Sequence, residues 1–392
     1  MSDVRLTNEY RRERISFSCV LVSTVFFLVL FQAPILKVPE IVTQVFRPVI
    51  VFFLLIRMVQ RGKIDFSARI IALIMAIYCI IDLMLTKINV DEIIRASAVC
   101  LYLLMFCAVT GTAWNKREIR FIVFACFLGT FACAIAIFAS NNPTDLHVGT
   151  SGNMKMLGTY VNRNKNAYAF TTGTILGVIY LLYGKNIKKF WIAIMTAVIA
   201  YALLYSQCRG AFFCAIAGVL ILLVSGLLRV KKRDEGKFLF YTLLLIVICI
   251  ASYFLLKNSQ LSRLIDGDTS GRDDGIQHAW QLFLNGGTFN KIFGFGYCFE
   301  GEHTDGCGAH LVYATYLLAI GLTGCTLLVL IFLCTASRIK GAVPYALFIN
   351  AFLRTFFEGL DYYIYIPLIL SLIIFNYTYI YRRSVNELFS GR

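Results

Sequence analysis

Three arginines have the clearest potential for chemistry in this sequence. Arg163 stands in YVNRNKNAYAF, Arg209 in SQCRGAF and Arg272 in TSGRDDGIQHAW. A planar guanidinium group can donate two parallel hydrogen bonds to the oxygens of one phosphate, so these residues are candidates for binding a phosphate or pyrophosphate group. The alternative for each arginine is that it pairs with a lipid headgroup or extends its side chain to a membrane interface.

His310 is the candidate general base. It ends a long polar segment and directly precedes an apolar run. Imidazole can accept a proton near neutral pH, as the deprotonation of a hydroxyl group requires. The alternative is a histidine whose hydrogen bonds are satisfied at a membrane interface.

One pattern resembles a calcium site only in part. Asp266-x-Asp268-x-Ser270-Gly271 begins like an EF-hand loop. Its twelfth position is Gln277, whereas the EF-hand requires a bidentate Glu there. We therefore predict no calcium site.

Other candidate sites for a metal or cofactor are weaker. An acidic cluster with one histidine could coordinate a metal, but solvated loop charge explains it more simply; it consists of Glu300, Glu302, His303 and Asp305. No Cys or His spacing typical of zinc appears. Gly294-x-Gly296 lacks the βαβ context of a dinucleotide site, so we expect it to allow a tight turn. We predict neither metal nor cofactor.

The elements that position these residues are membrane helices. Of the 392 residues, 59% are hydrophobic and 15% are charged, and the mean hydropathy is +0.73. Soluble domains are only about half apolar. The net charge of +15 suggests nucleic acid at first, but in a membrane protein excess Lys and Arg usually reports orientation. We predict no nucleic-acid partner.

Apolar runs predict twelve membrane spans within one membrane domain, 1–392. They cover about 15 to 36, 42 to 59, 70 to 85, 96 to 112, 121 to 140, 167 to 183, 190 to 206, 211 to 228, 238 to 256, 311 to 336, 342 to 358 and 362 to 381.

The charge distribution predicts the orientation. Most of the 37 Lys and Arg residues fall in the segments that are cytoplasmic if both termini are cytoplasmic, which agrees with the positive-inside rule. The long segments at about 141 to 166 and 257 to 310 then face outward, and loops of such length are usually functional. The second is too apolar for a disordered linker, and residues 275–284 within it could form an amphipathic helix on the membrane surface.

The order of several short motifs resembles the O-antigen polymerase and O-antigen ligase superfamily of polysaccharide assembly. The similar features are an Asn-rich entry to one span, an RGA element opening another, Trp280 eight residues after Arg272 in a large outer loop, and a loop end that leads into a glycine-containing span. These residues are Asn162, Asn164, Asn166, Arg209-Gly210-Ala211, Ser270-Gly271-Arg272, Phe293-Gly294-Phe295-Gly296, Ala309-His310-Leu311-Val312-Tyr313, Gly321 and Gly324. Two departures are Cys208 where Ser is usual and Leu311 where Asn is common.

The resemblance implies an all-α, GT-C-like glycosyltransferase that needs no metal. Its donor would be an oligosaccharide on undecaprenyl pyrophosphate, and its active site would lie on the outer face of a bacterial inner membrane. It implies catalytic roles for His310, Arg272 and Arg209. Substrate-binding roles follow for Arg163, Asn164, Trp280, Gly294, Gly296 and Tyr313.

The resemblance favours a polymerase of O-antigen or capsule, which moves the growing chain onto a lipid-linked repeat unit. Its expected partners are the lipid-linked oligosaccharide and membrane lipid, and a chain-length regulator protein is a further candidate. A ligase that transfers the glycan to lipid A core shares the same motifs. A flippase for the same lipid-linked oligosaccharide is the alternative from another class, but its expected internal duplication is absent from the sequence.

Two cysteines of the outer loop leave a question open. Cys298 and Cys307 would lie in an oxidising compartment in the predicted orientation, where a disulfide between them could form. Two free thiols are equally compatible with the sequence.

Overall fold

The computed structural model describes the chain in separate stretches. These are residues 15–31, 66–85, 90–140, 153–156, 159–184, 188–206, 208–229, 272–296, 312–356, 364–380 and 384–389. The elements, in chain order, are α1 (Phe17–Phe31), α2 (Phe66–Leu85), α3 (Val90–Gly111), α4 (Lys116–Ser140), β1 (Asn153–Met156), β2 (Thr159–Asn162), α5 (Arg163–Tyr183), α6 (Lys189–Tyr205), α7 (Arg209–Arg229), α8 (Arg272–Asn285), α9 (Thr288–Phe293), α10 (Val312–Ala336), α11 (Ala342–Arg354), α12 (Tyr365–Ile380) and α13 (Val385–Phe389).

The helices are those of a membrane protein. Segments of α2 and α7 and the whole of α4 and α10 are long and apolar enough to cross a membrane, and α1, α6, α11 and most of α3 and α12 are shorter apolar helices. The predicted all-α membrane architecture is confirmed at this level. The predicted spans at 42–59 and 238–256 lie outside the described residues, so the number twelve and the GT-C-like arrangement stay predictions.

One described element is not helical. Strands β1 and β2 form an antiparallel ribbon in which Asn153 pairs with Asn162 and Met156 with Thr159. The ribbon lies within the predicted outer segment at 141–166, and β1 packs against α4. Strands of four residues carry too little alternation of polar and apolar residues to be recognised from sequence.

The N-terminal end of α4 is held by a capping box. Asn115 accepts a hydrogen bond from the backbone N–H of Glu118 at 2.9 Å, and the Glu118 carboxylate accepts one from the Asn115 N–H at 3.0 Å. This reciprocal pair satisfies two backbone donors that helix geometry leaves without partners. The same carboxylate also accepts hydrogen bonds from the backbone and hydroxyl of Ser16, which ties the start of α1 to α4.

Both terminal helices of the described chain lie at this end of α4. Arg120 donates from Nε to the carbonyl of Leu388 and from Nη2 to that of Glu387 at 3.3 Å. Leu388 and Glu387 belong to α13, whereas Ser16 precedes α1. The start of α1 and the helix α13 are therefore on the same side of the bundle.

Helix α5 lies at the centre, in contact with α4, α6, α7 and α11. A Cβ atom at Gly173 would lie 2.2 Å from the hydroxyl oxygen of Thr130 in α4, and one at Gly177 would lie 2.2 Å from that of Thr196 in α6. Small residues four apart allow membrane helices to approach closely. The central position of α5 therefore depends on these two glycines.

Helix α10 is interrupted in its N-terminal half. Ile320 has φ −127° and ψ 18°, and Gly321 has φ 66° and ψ −172°. The conformation of Gly321 is essentially restricted to glycine. In a continuous helix the carbonyls of Leu318 and Ala319 would accept hydrogen bonds from residues four positions later. The interruption leaves these carbonyls available to another part of the chain.

Candidate functional site

The three arginines singled out by the sequence each begin a helix. Arg163 is the first residue of α5, Arg209 of α7 and Arg272 of α8. The N-terminus of a helix presents free N–H groups and a positive partial charge, which favour a bound anion. The side chains of these arginines, and that of Asn164, lie outside what the structure describes. Their contacts with one another thus remain a prediction.

The starts of α5 and α7 lie at the same end of the bundle. Thr171 of α5 donates a hydrogen bond to the carbonyl oxygen of Ala211 at 2.9 Å. Ala211 follows Arg209 by two residues, in the first turn of α7, and Thr171 lies eight residues after Arg163 in α5. Eight residues of helix span about 12 Å, so α7 begins beside the N-terminal half of α5, and Arg163 lies about that far along α5 from the contact.

A further arginine, Arg354, lies buried beside α5. Arg354, the last residue of α11, is 1% exposed, and its guanidinium carbon lies 4.4 Å from the ring centroid of Tyr168 in α5. One turn away, Asn350 donates to the hydroxyl of Thr172 at 3.2 Å. A cation over an aromatic face is stabilised most where water is excluded. The two contacts fix α11 against the N-terminal half of α5.

In the sequence, Arg354 and Glu358 are four residues apart, a spacing at which two opposite charges can pair on one helix face. Glu358 lies outside the described residues. The ring of Tyr168 escaped sequence reasoning because it comes from a helix nearly two hundred positions earlier. The only available signal was an aromatic residue in the first turns of a span.

The start of α10 joins the same end of the bundle. The backbone N–H of Val312 donates to the carbonyl of Thr355, directly after α11, at 3.0 Å. Tyr313 packs edge-on against Phe356, with ring centroids 5.5 Å apart. His310 lies two residues before Val312 and outside the described residues. Val312 thus brings the chain next to His310 close to the Arg354 end of α11.

A row of tyrosines continues from α10 towards α12 and α3. The hydroxyls of Tyr316 and Tyr365 are 3.5 Å apart, and Tyr365 stacks with Tyr102 at 6.3 Å between centroids. All three side chains are buried. Buried tyrosine hydroxyls are usually hydrogen-bonded, so this row gives this part of the bundle a polar layer.

The glycines that follow α9 dock on the interruption in α10. Gly294 and Gly296 have φ values of 87° and 97°, which confirms the tight turn expected from their spacing. The backbone N–H of Phe295 donates to the carbonyl of Leu318 at 2.6 Å, and that of Gly296 to the carbonyl of Ala319 at 3.1 Å. We call this contact the α9–α10 junction. It uses the two carbonyls that the kink leaves available.

The α9–α10 junction leaves no room for side chains. A Cβ atom at Gly294 would lie 2.4 Å from the carbonyl oxygen of Ala319, and one at Gly321 would lie 2.2 Å from that of Ile292. The hydroxyl of Tyr78 in α2 lies 3.1 Å from the Ile292 carbonyl and 2.9 Å from the Ile320 carbonyl, so it bridges both sides. Gly294, expected to bind substrate, is therefore also required for packing, and Gly296, expected to bind substrate as well, takes part in the junction through its backbone N–H.

The remaining predicted residues separate into two groups. Trp280, on α8, is 54% exposed, stacks on Phe283 at 5.7 Å and points away from the core, whereas Tyr313 is half-buried at the start of α10.

Among the described residues no three His, Cys, Asp or Glu side chains could hold a metal, and the acidic cluster at 300–305 lies outside them. Cys298 and Cys307 also lie outside, so their pairing stays open.

The geometry places the starts of α5, α7 and α10 and the end of α11 together at one end of the bundle. Comparison with known proteins adds nothing to it: no family model matches the chain, and no curated protein matches it.

Proposed function

We propose that the protein is a membrane glycosyltransferase that polymerises a surface polysaccharide. It would transfer a growing glycan from undecaprenyl pyrophosphate to a lipid-linked repeat unit. The observation that carries the proposal is that Arg163 and Arg209, from separate motifs, begin two helices that adjoin at the same end of the bundle. The segment ending in His310 leads into α10 at that end.

The chemistry of such a reaction fits these residue types. Departure of a pyrophosphate creates negative charge, and fixed positive groups aimed at that charge lower the barrier. Arg163, Arg209 and Arg272 are the proposed pyrophosphate ligands, and helix N-termini add to the positive potential. His310 is the proposed base for the acceptor hydroxyl. No step of this scheme needs a metal.

Arg354 is not a proposed ligand of the donor, but it contributes to the charge of the site. Its guanidinium group is already engaged with Tyr168 in the protein interior. A buried cation raises the local positive potential without contacting the ligand, because interactions between charges are screened less in a medium of low dielectric constant. We propose that Arg354 supports the arginines of the motifs in this way.

Turnover of a labelled donor tests the function. Purified protein incubated with radiolabelled repeat-unit lipid is expected to produce a ladder of longer lipid-linked glycans. Transfer of label to added lipid A core, without a ladder, would assign the ligase function. Movement of the lipid across a vesicle membrane without any new glycosidic bond would assign a flippase and contradict the proposal.

The orientation is tested by cysteine labelling. Asn285, at the end of α8, and Ser337, between α10 and α11, are both exposed. We propose that the first faces outward and the second faces the cytoplasm, because most basic residues fall on the Ser337 side. A membrane-impermeant maleimide is expected to label Asn285→Cys in intact spheroplasts and Ser337→Cys only after permeabilisation.

The unmodified protein is the control for labelling of its native cysteines. All of those in the described stretches are buried or partly buried, so their background should be low. Labelling of Ser337→Cys in intact spheroplasts, with protection of Asn285→Cys, would reverse the orientation and place the proposed site on the cytoplasmic side.

A further inference from the structure

Helix α8 has three distinct faces. Ala279, Leu282 and Phe283 pack against the core, and α8 contacts α10. A second face consists of exposed apolar side chains four residues apart: Ile276 (37% exposed), Trp280 (54%) and Leu284 (52%). The third consists of exposed polar side chains with the same spacing: Gln277, Gln281 and Asn285. At about 100° per residue, these faces follow one another around the helix.

Helix α9 continues the apolar face. Phe289 is 47% exposed and Ile292 is 41% exposed. We call Ile276, Trp280, Leu284, Phe289 and Ile292 the apolar stripe. Five large apolar side chains exposed on two consecutive helices are uncommon on a surface that faces only water.

The α9–α10 junction fixes the depth of α9. Gly321 lies nine residues after the start of α10 at Val312, or about 13 Å along the helix at 1.5 Å per residue. Tyr78, which bonds to Ile292, lies seven residues before the end of α2 at Leu85, or about 10 Å. Since the hydrocarbon core is about 30 Å thick, both measures place the end of α9 within the half of the membrane that contains these helix ends.

The apolar stripe is also continuous with surfaces that face lipid. Ile74, Ile77 and Ile81 flank Tyr78 on α2 and are 46–50% exposed, and Leu322, next to Gly321 on α10, is 56% exposed. Both helices are long and apolar enough to span the membrane. Side chains exposed on such spans contact acyl chains, and Ile292, at the end of the stripe, adjoins them at the same depth.

We propose that α8 and α9 are partly inserted into the outer leaflet, with the apolar stripe in contact with lipid acyl chains. The polar face of α8 points to water, so α8 lies nearly parallel to the membrane plane. The end of α9 extends deeper, to the interruption in α10. The loop that carries Arg272 is thereby anchored in the leaflet from which a lipid-linked molecule would arrive. The inference does not depend on the glycosyltransferase function.

Tryptophan quenching tests the insertion. The chain has three Trp residues, and Trp114→Phe with Trp191→Phe leaves Trp280 as the only tryptophan, which can be excited selectively over tyrosine. In nanodiscs made with brominated phospholipid, Trp280 is expected to lose fluorescence, whereas aqueous iodide should quench it little. Removal of the buried Trp114 could impair folding. In that case the quenching of Trp280 is obtained as the difference in quenching between the unmodified protein and Trp280→Phe.

A matched control moves the fluorophore by one position. Trp280→Phe with Gln281→Trp places it on the neighbouring polar face, where iodide should quench and brominated lipid should not. Iodide quenching of both positions would overturn the proposal, because α8 would then lie in water. Protection of both from both quenchers would mean that protein covers the stripe, and lipid quenching of both would contradict the proposed faces; either result also overturns it.

Discussion

Replacing Gly321 with alanine is expected to detach the turn after α9 from α10. The residue has φ 66° and ψ −172°, a region that costs a non-glycine residue about 1 to 3 kcal/mol. The new Cβ atom would also lie 2.2 Å from the carbonyl oxygen of Ile292. The atoms nearest to that Cβ position belong to the backbones of Ile292 and Gly294. The clash is therefore relieved only if α10 and the turn after α9 separate. With two backbone hydrogen bonds lost, the destabilisation should total roughly 3 to 5 kcal/mol.

Hydrogen exchange measures this effect locally. The amides of Phe295 and Gly296, which donate to the carbonyls of Leu318 and Ala319, should lose their protection in Gly321→Ala. Gly294→Ala should behave in the same way, since its Cβ atom would lie 2.4 Å from the Ala319 carbonyl oxygen. Unchanged protection of these amides in both variants would show that the junction does not depend on glycine.

Two other glycines separate strain from collision. Gly341 has φ 97°, but the nearest atom to a Cβ there is 3.9 Å away. Gly341→Ala should therefore show the conformational cost without any change in exchange at Phe295. Gly287 has an extended conformation with φ −61° and open space around it. Its replacement by alanine should change stability least of the four.

The sequence predicted the membrane helices well because long apolar runs have few alternatives. The predicted span at 167–183 appears as α5, which begins four residues earlier at Arg163. Hydropathy falls at the polar residues 163–166, whereas α5 includes them. The predicted amphipathic helix at 275–284 lies within α8 and differs from it by three residues at most. Local patterns therefore gave the helices and their approximate limits.

The contacts between distant segments could not be predicted. Tyr78 and the carbonyl of Ile320 are 242 positions apart, and no local pattern marks a tyrosine that bridges a loop and a kinked helix. Gly321 was noted only as part of a family pattern, and its positive φ depends on the loop that docks against it. Arg354 and Tyr168 likewise become neighbours only when α5 and α11 pack together.

The candidate site was predicted in part. Sequence reasoning identified Arg163, Arg209 and Arg272 by residue type and motif, and the structure adds that each begins a helix. Sequence reasoning could not predict the hydrogen bond between Thr171 and Ala211, because neither residue type is distinctive within an apolar run. How closely the guanidinium groups approach one another stays a prediction.

Conservative substitution of the motif arginines is expected to abolish most of the activity. Lys retains the charge of Arg but loses the planar pair of donors, so Arg209→Lys and Arg272→Lys should each lower turnover by about 100-fold if their bidentate contacts strengthen in the transition state. Arg338→Lys, between α10 and α11, is the matched control and should retain activity. The measurement is the rate of glycan elongation by purified protein at equal amounts of folded variant.

Replacing His310 separates catalysis from binding. A base acts on the acceptor hydroxyl during transfer, so His310→Ala should lower kcat while leaving the affinity for the lipid-linked donor largely unchanged. His278, half-buried on α8, provides the control: His278→Ala removes an imidazole from the same outer loop without touching the proposed base. Weaker donor binding with unchanged kcat would assign His310 to the substrate site instead. The same variants can be tested in cells when each is present in the membrane at normal levels. If Arg209→Lys, Arg272→Lys and His310→Ala all still give full-length polysaccharide, the reaction takes place elsewhere in the protein.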